Sequence, residues 1–410
     1  MPIRLLRLTL ALALALVPAG RALGAAPRWL AAHVDSTMGL GDQLHLHHAL
    51  LLLAGATDRT AVLPPLTITV TDYGALADID PSDERAFDDA LDRALDGRIR
   101  SSANLPQTTR FVPIDRWFDV DAIASGSGVR AATFAQWNAA TDGLIDWTLV
   151  PASFHGCLPD SSAACAAAKD GLLAPQPDAT LWNERVRRAH VACLTADGDW
   201  SSAATGSALV ARLRAAPLLD AATVSLDGFC MRMPLGQDIE RRRAGIERVF
   251  RPSAAIAARV AEFRSAHGLK RYVALHWRRG DVIVDHRARF VGHTPERVAD
   301  AVKQLVARER LGPFDGVVLL TDAFSKPELE RMHEQLGRAL GLPVVRFDAA
   351  PDLSRSFEPD RQVDDVIMDL ALGMSADVVV GTFAGSNFFN LMASRAPRSF
   401  TLPLDAPAAP

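Results

Sequence analysis

The chain is poor in aromatic residues, at 6% of 410 residues with two tyrosines, and it has only four cysteines. It holds no N-x-[ST] sequon, so N-linked glycosylation is not expected. No C-x₂₋₄-C pair occurs among Cys157, Cys165, Cys193 and Cys230, which removes the usual cysteine zinc spacings. Basic charge is not in excess, because 44 Lys and Arg stand against 48 Asp and Glu for a formal net charge of −4. That balance argues against general nucleic-acid binding and leaves room for a local basic cleft. A long apolar span is also missing. The stretch from Leu8 to Val17 is about half the roughly 20 residues that a membrane crossing needs.

Arg4 and Arg7 precede that stretch, and Ala22, Gly24 and Ala25 follow it. The pattern reads as a secretory signal peptide over residues 1–25, cleaved near residues 24 to 26, with a type II membrane anchor as the rival. The mature protein is then expected in the lumen of the secretory pathway, in the endoplasmic reticulum or Golgi or secreted, with no stable membrane insertion. In an oxidising compartment the four cysteines suggest two disulfides, and three pairings stay open. The closing LDAPAAP carries no retrieval signal for the endoplasmic reticulum.

What is present is ordinary for a globular chain of two domains: 49% hydrophobic and 22% charged residues. The second half alternates. Helices are expected at about 253–266, from Thr294-Pro295 to about Arg310, from a Ser325/Glu328 capping box to about Leu340, over 363–376 and over 385–394. Strands are expected at 272–279, 316–323, 343–348 and 377–383. Such alternation predicts a parallel, doubly wound sheet. The first half is less regular. It offers a glycine turn, an apolar helix and a short strand over 38–66, a helix at 83–97, and strand and loop at 111–123. Residues 151–205, rich in Ala, Ser, Asp and Pro, read as a surface insertion or a loosely regular part of the first domain. The expected division is 26–240 for an N-terminal domain, 241–400 for a C-terminal domain and 401–410 for a tail.

The stretch VALHWRRGDV (273–282) runs from an apolar strand into concentrated positive charge. Alternation along a strand puts His276 and Arg278 on one face and Trp277 and Arg279 on the other. Gly280-Asp281 reads as a turn. A basic fork is thereby expected at the carboxyl end of a strand, where open α/β sheets bind ligands.

Gly39-Leu40-Gly41-Asp42-Gln43 precedes a helix, as an ordinary turn or as a place where backbone amides approach an anionic ligand. His45, His47 and His48 follow, with His45 and His48 on one face. Lacking nearby carboxylate or cysteine partners in the sequence, they read as cleft-lining or solvent-facing rather than metal ligands. In DVVVGTFAGSNFFN (377–390) the same logic recurs: Gly381-Thr382 ends a strand, and Ser386 and Asn387 start a helix suited to a phosphate or to a plain strand–helix connection. Asp364 and Asp365 are expected in the first turn of a helix, where Asp364 either stabilises the helix dipole or accepts two hydrogen bonds from a guanine edge. Asp322 is either a cleft carboxylate or a cap for the loop after its strand.

Together these stretches resemble the GDP-fucose protein O-fucosyltransferase family. His-Trp-Arg-Arg-Gly-Asp at 276–281 is similar to its H-x-R-R-G-D strand. GLGDQLHLHHALLLLAGATDRTAVLPP is similar to its G-x-x-G-N-Q helix and N-R-T-L-V-L-P-P strand, and WFDVDAI resembles the loop that follows. QVDDVIMDLALGMSADVVVGTFAGSNFF resembles its Q-V-D-x-x-I…A-D-x-F-x-G…S-S-F segment. The matches keep their order from about residue 36 to 395.

The resemblance implies an α/β fold of GT-B type, two Rossmann-like domains facing a central cleft. It implies GDP-fucose as donor, inversion at the anomeric carbon, and neither a metal nor a cofactor. The acceptor is then a Ser/Thr hydroxyl of a protein, with an α1,6-type transfer to a glycan or a non-catalytic nucleotide-sugar or glycan-binding role as alternatives. By motif position Arg278 grips the β-phosphate and His276 lines the donor site. Asp364 reads guanine, Ser386 meets the phosphates, and Gly41 lets the donor approach. Gly39, Thr382 and Asn387 complete the expected donor contacts. Two positions depart from the pattern: Asp42 stands where the family has Asn, and Asn387 where an aromatic follows the serine. A carboxylate at 42 could take the acceptor proton as general base, or be a tolerated departure.

Overall fold

The computed structural model describes residues 26–32, 40–151, 187–194, 205–226, 242–290, 292–347 and 359–404. The expected leader, Gly39 and the side chains of all four cysteines lie outside the described residues, as do most of 151–205 and the expected boundary near 240.

Two parallel sheets organise the chain. The first has six strands, β1 (Trp29–Ala32), β2 (Thr60–Leu63), β5 (Ala131–Thr133), β6 (Leu144–Pro151), β7 (Arg187–Leu194) and β8 (Thr223–Leu226), in the order β5-β2-β1-β8-β6-β7. The second has five, β9 (Tyr272–Trp277), β10 (Gly316–Thr321), β11 (Val344–Val345), β12 (Val378–Gly381) and β13 (Arg398–Thr401), in the order β11-β10-β9-β12-β13. Between β2 and β5 in sequence order, β3 (Leu66–Thr71) and β4 (Gln107–Val112) form a separate antiparallel pair. Every residue of β1, β2, β8, β9 and β12 is buried. Continuous apolar runs of this kind suit sheets covered on both faces.

The second half follows the expected alternation, with helices at Ala254–Ala266, Pro295–Arg308, Lys326–Leu340, Pro359–Met374 and Asn387–Ala393. Thr294 caps the second, its hydroxyl accepting from the Arg297 N–H, and Pro295 supplies a first-turn residue whose missing N–H costs nothing there. The capping box at Ser325 is only half formed. Ser325 accepts from the Glu328 N–H, but the Glu328 carboxylate turns inward to Arg279 because a buried guanidinium needs it more than an exposed helix start does. Strand β9 stops at Trp277, two residues short of expectation, and β11 is reduced to two residues. Gly280-Asp281 opens a short helix, Gly280–Asp285, rather than a turn.

In the first half the Leu40–Ala56 helix is buried along most of its length, and Glu84–Leu95 matches the expected helix. The stretch 111–123 is more helical than expected: after β4 come Ile114–Trp117 and Val120–Ser127, the latter started by the Asp119 carboxylate accepting from the Ala122 N–H. Strand β7, inside the presumed insertion, is an edge strand of the first sheet. At the other end β13 runs across residue 400, and Leu402 and Leu404 are buried against the second sheet. A single apolar cluster joins the two sheets through the Leu40–Ala56 and Pro359–Met374 helices.

Candidate active site

The site grows from the carboxyl end of β9, the middle strand of the second sheet. Thr382 ties that end down: its N–H donates to the His276 carbonyl at 3.1 Å, and its hydroxyl accepts from the Arg278 N–H at 3.1 Å. Thr382 is buried, so it fixes the backbone on which the two arginines ride.

The two arginines then part as the strand alternation predicts. Arg279 is buried and pairs with Glu328, the side chains only 3% and 4% exposed. It also donates to the Phe290 carbonyl at 2.6 Å and lies over the Trp277 ring. Arg278 stays 30% exposed and divides its fork between two carboxylates, Asp322 and Asp281, the latter at 2.5 Å. Both acids keep the guanidinium charged despite its burial. Burial alone would push the Asp322 carboxyl up. Arg278, the Arg279 and Gly280 N–H groups and His276 reverse this and hold it below the usual range. Asp281 goes the other way, raised by burial with Asp322 adding to the effect against Arg278. The result is an ionised carboxylate and a reluctant one sharing a single cation. Asp322 is therefore a site carboxylate and more than a loop cap. It fits because residue 280 is glycine: a Cβ there would lie 2.7 Å from the Asp322 Oδ2.

His276 lies on the same strand, buried against Phe388 and Phe389 at ring-centre separations of 5.4 and 6.5 Å. Burial pushes its imidazole down to about 4, with Asp322 opposing and Arg278 adding to the effect. It is a neutral ring at neutral pH.

The turn after β12 brings Ser386 and Asn387 to this end of the sheet. Ser386 caps the Asn387–Ala393 helix, its hydroxyl accepting from the Phe389 N–H. The Leu40–Ala56 helix meets that helix at its first turn. A Cβ on Gly41 would lie 2.5 Å from the Phe388 nitrogen, so the close approach of the two backbones requires glycine here. One residue on, the Asp42 carboxylate accepts a hydrogen bond from the Asn387 amide. His276, Arg278, Thr382, Ser386, Asn387, Gly41 and Asp42 are thus joined in one run of contacts.

Asp364 is not part of that run. The Pro359–Met374 helix begins well before it, which rules out the expected first-turn position for Asp364 and Asp365. Asp364 instead faces Arg259 at 3.4 Å and Arg116 at 3.9 Å. Two of the three histidines also differ from expectation. His47 and His48 are fully buried; His47 bridges the Gln43 and Pro64 carbonyls, and His48 packs on Phe250.

Sequence reading missed Tyr73, which lies just after β3. Its hydroxyl feels Asp281, Asp322 and Arg278, and burial, the main cause, makes it hard to ionise. Its ring stacks on Phe324 at 4.4 Å. Some 200 positions separate Tyr73 from Arg278, and only its rarity as one of two tyrosines marked it. Asp281 was in view as part of a turn, but its ion pair with Arg278 needed the helix that starts at Gly280.

No protein-family model matches the chain, and no curated protein matches it by sequence. Solved structures do match. The crystal structure of POFUT1 in complex with GDP-fucose has TM-score 0.59 at 15% identity, covering 94% of this chain and all of that one. POFUT1 in complex with GDP gives 0.57 at 14%, over 93% and 100%. The apo form of POFUT1 gives 0.57 at 16%, over 93% and 100%. This chain therefore shares the fold of the GDP-fucose protein O-fucosyltransferase POFUT1 over nine-tenths of its length.

Proposed function

We propose that the protein is an inverting glycosyltransferase that moves fucose from GDP-fucose to a Ser/Thr hydroxyl of a protein. In this reading the two sheets are the Rossmann-like halves of a GT-B enzyme, about 26–240 and 241–400, facing a central cleft. The observation that carries it is Arg278, a charged, partly exposed guanidinium at the carboxyl end of the central strand. Departure of GDP builds negative charge on the β-phosphate while the sugar becomes oxocarbenium-like. A bidentate fork suits that phosphate, and a preorganised donor of this kind is worth roughly 3–4 kcal/mol, or 10²–10³ in rate. On binding, the diphosphate takes the place of Asp281 or Asp322 on the fork. The reading calls on no metal or cofactor for the chemistry. His276, Thr382, Ser386, Asn387, Gly39, Gly41 and Asp42 line the donor side, and Asp364 meets the guanine. The leader expected over residues 1–25 supports a place for such an enzyme in the lumen of the secretory pathway.

The test is a screen of the purified mature protein against GDP-fucose, GDP-mannose and UDP-sugars, read by release of the nucleoside diphosphate. Release from GDP-fucose above the others, reduced about 10²–10³-fold in Arg278→Lys, is the expected result. Transfer to a glycan in place of a protein would move the reading to the α1,6 class. GDP binding without turnover would leave a binding protein.

A further inference from the structure

We propose a divalent transition-metal site, best suited to Zn²⁺, formed by His45, His48 and Glu247 and separate from the donor side. The three residues offer ligand atoms that all lie within 4.8 Å of one another. Two come from adjacent turns of one long helix, Leu40–Ala56. The third, which no sequence spacing could supply, ends the Arg243–Glu247 helix about 200 positions later. Two imidazoles and a carboxylate are a donor set that suits zinc with a fourth position left for water.

The ring geometry comes close to this. The His45 and His48 ring centres are 5.7 Å apart at an interplanar angle of 88°. Zinc bound through one nitrogen at about 2.0–2.1 Å has the imidazole centre about 3.2 Å away. Two such rings at the tetrahedral angle stand about 5.2 Å apart. The observed spacing is therefore about half an ångström wider than one shared ion asks for. The farther ligand atoms must close to about 3.3 Å, a movement the flexible Glu247 side chain can make.

Burial is graded as such a site requires. His48 is fully buried and held by Phe250 at 4.6 Å, 72° to its ring, while His45 and Glu247 are half-buried. One ligand is thus locked by packing, and the open side admits the ion and its water. Bound there, the ion would pin the Leu40–Ala56 helix to the segment that leads into the second half of the chain. His45 lies one helical turn beyond Asp42, so the pin would also fix how the helix start presents Asp42 to Asn387.

Metal content tests this without any sugar donor, so its outcome is distinct from that of the glycosyltransferase reading. The full chain is stripped with a chelator and titrated with ZnCl₂, with bound zinc, thermal unfolding and circular dichroism followed. One zinc per chain with a raised Tm is expected. His45→Gln and Glu247→Gln, both at half-buried positions, should each weaken zinc binding at least tenfold with an unchanged circular dichroism spectrum. Cobalt in place of zinc should give visible bands of nitrogen and oxygen ligation without a thiolate charge-transfer band. The proposal fails if the folded wild-type chain takes up no zinc, if both variants bind it as tightly as wild type, or if the cobalt spectrum shows thiolate.

Discussion

The Asn387 amide donates a hydrogen bond to the Asp42 carboxylate, and these are the two positions at which the chain departs from the O-fucosyltransferase pattern. The residues lie 345 positions apart, at the first turns of two helices so close that Gly41 is needed between them. Each departure therefore supplies the other's partner. Asp42→Ala and Asn387→Ala should be non-additive in urea unfolding, with a coupling of roughly 1 kcal/mol. Additive losses would mean that the contact contributes nothing to folding.

Asp42→Asn separates the two chemical roles open to that carboxylate. An amide oxygen still accepts from Asn387, so stability should change little. Removal of a negative charge near a pyrophosphate, worth roughly 4 kcal/mol at 4 Å and an effective dielectric of 20 before Arg278 offsets it, should tighten GDP-fucose binding and speed transfer. A single-turnover rate lowered by 10²–10⁴ at intact donor affinity would instead mark Asp42 as the general base.

Arg279 and Glu328 form a buried pair whose value is structural. Arg279→Ala leaves Glu328 uncompensated and takes a donor from the Phe290 carbonyl, a loss of about 3–5 kcal/mol. Arg279→Met with Glu328→Leu should recover part of it, since the carbonyl stays unsatisfied at about 1–3 kcal/mol. Chemical denaturation of the single and double variants provides the comparison. If Arg279→Ala proved as stable as wild type, the pair would not be holding the strand end.

The parts of this site that lie within one element were legible in the sequence. Alternation carried on past the end of β9 separates Arg278 from Arg279, and the run after β12 puts Ser386 at a helix start. The helices from Thr294 and Ser325 were announced by their caps. What could not be read depends on tertiary contact. Tyr73 reaches Asp281 and Asp322 from the other half, Glu328 abandons its capping box for a buried arginine, and Glu247 comes to the histidines only through packing. Likewise β4 carries few apolar signals because it is mostly half-exposed, and β1 is too short for a periodicity to appear, whereas β3 does alternate, with Leu66, Ile68 and Val70 buried. Hydrophobic pattern specifies an element and its face, while the partners of polar side chains are set by which elements meet.

Asp364 tests the guanine assignment against a purely electrostatic one. Its two oxygens face Arg116 and Arg259 one each, an arrangement that two adjacent N–H donors could also meet. Asp364→Asn should weaken GDP binding roughly 10–100-fold, as loss of charged hydrogen bonds does. UDP, whose base lacks that paired edge, should be affected much less. Calorimetric titration with both nucleotides gives the contrast, and equal losses would reduce Asp364 to a partner of the two arginines.

His276 should make the fold sensitive to mild acid. In the unfolded chain its ring takes a proton near 6.5, whereas burial among Phe388 and Phe389 delays this to about 4 in the folded chain, with Asp322 opposing and Arg278 reinforcing the shift. Between those values the unfolded state binds the extra proton, so stability falls as pH is lowered through that window. The full effect is of the order of 3 kcal/mol. His47, also lowered by burial, acts in the same direction. Asp322, held below its usual value, gives up its contribution only at lower pH, as it protonates. Unfolding free energies between pH 7 and 4 should therefore decline less steeply in His276→Leu, which keeps an apolar side chain of similar size on the strand. The measurement needs no substrate, so any loss of transfer in that variant leaves it unaffected. An identical slope in wild type and variant would show that the imidazole is not the group being titrated.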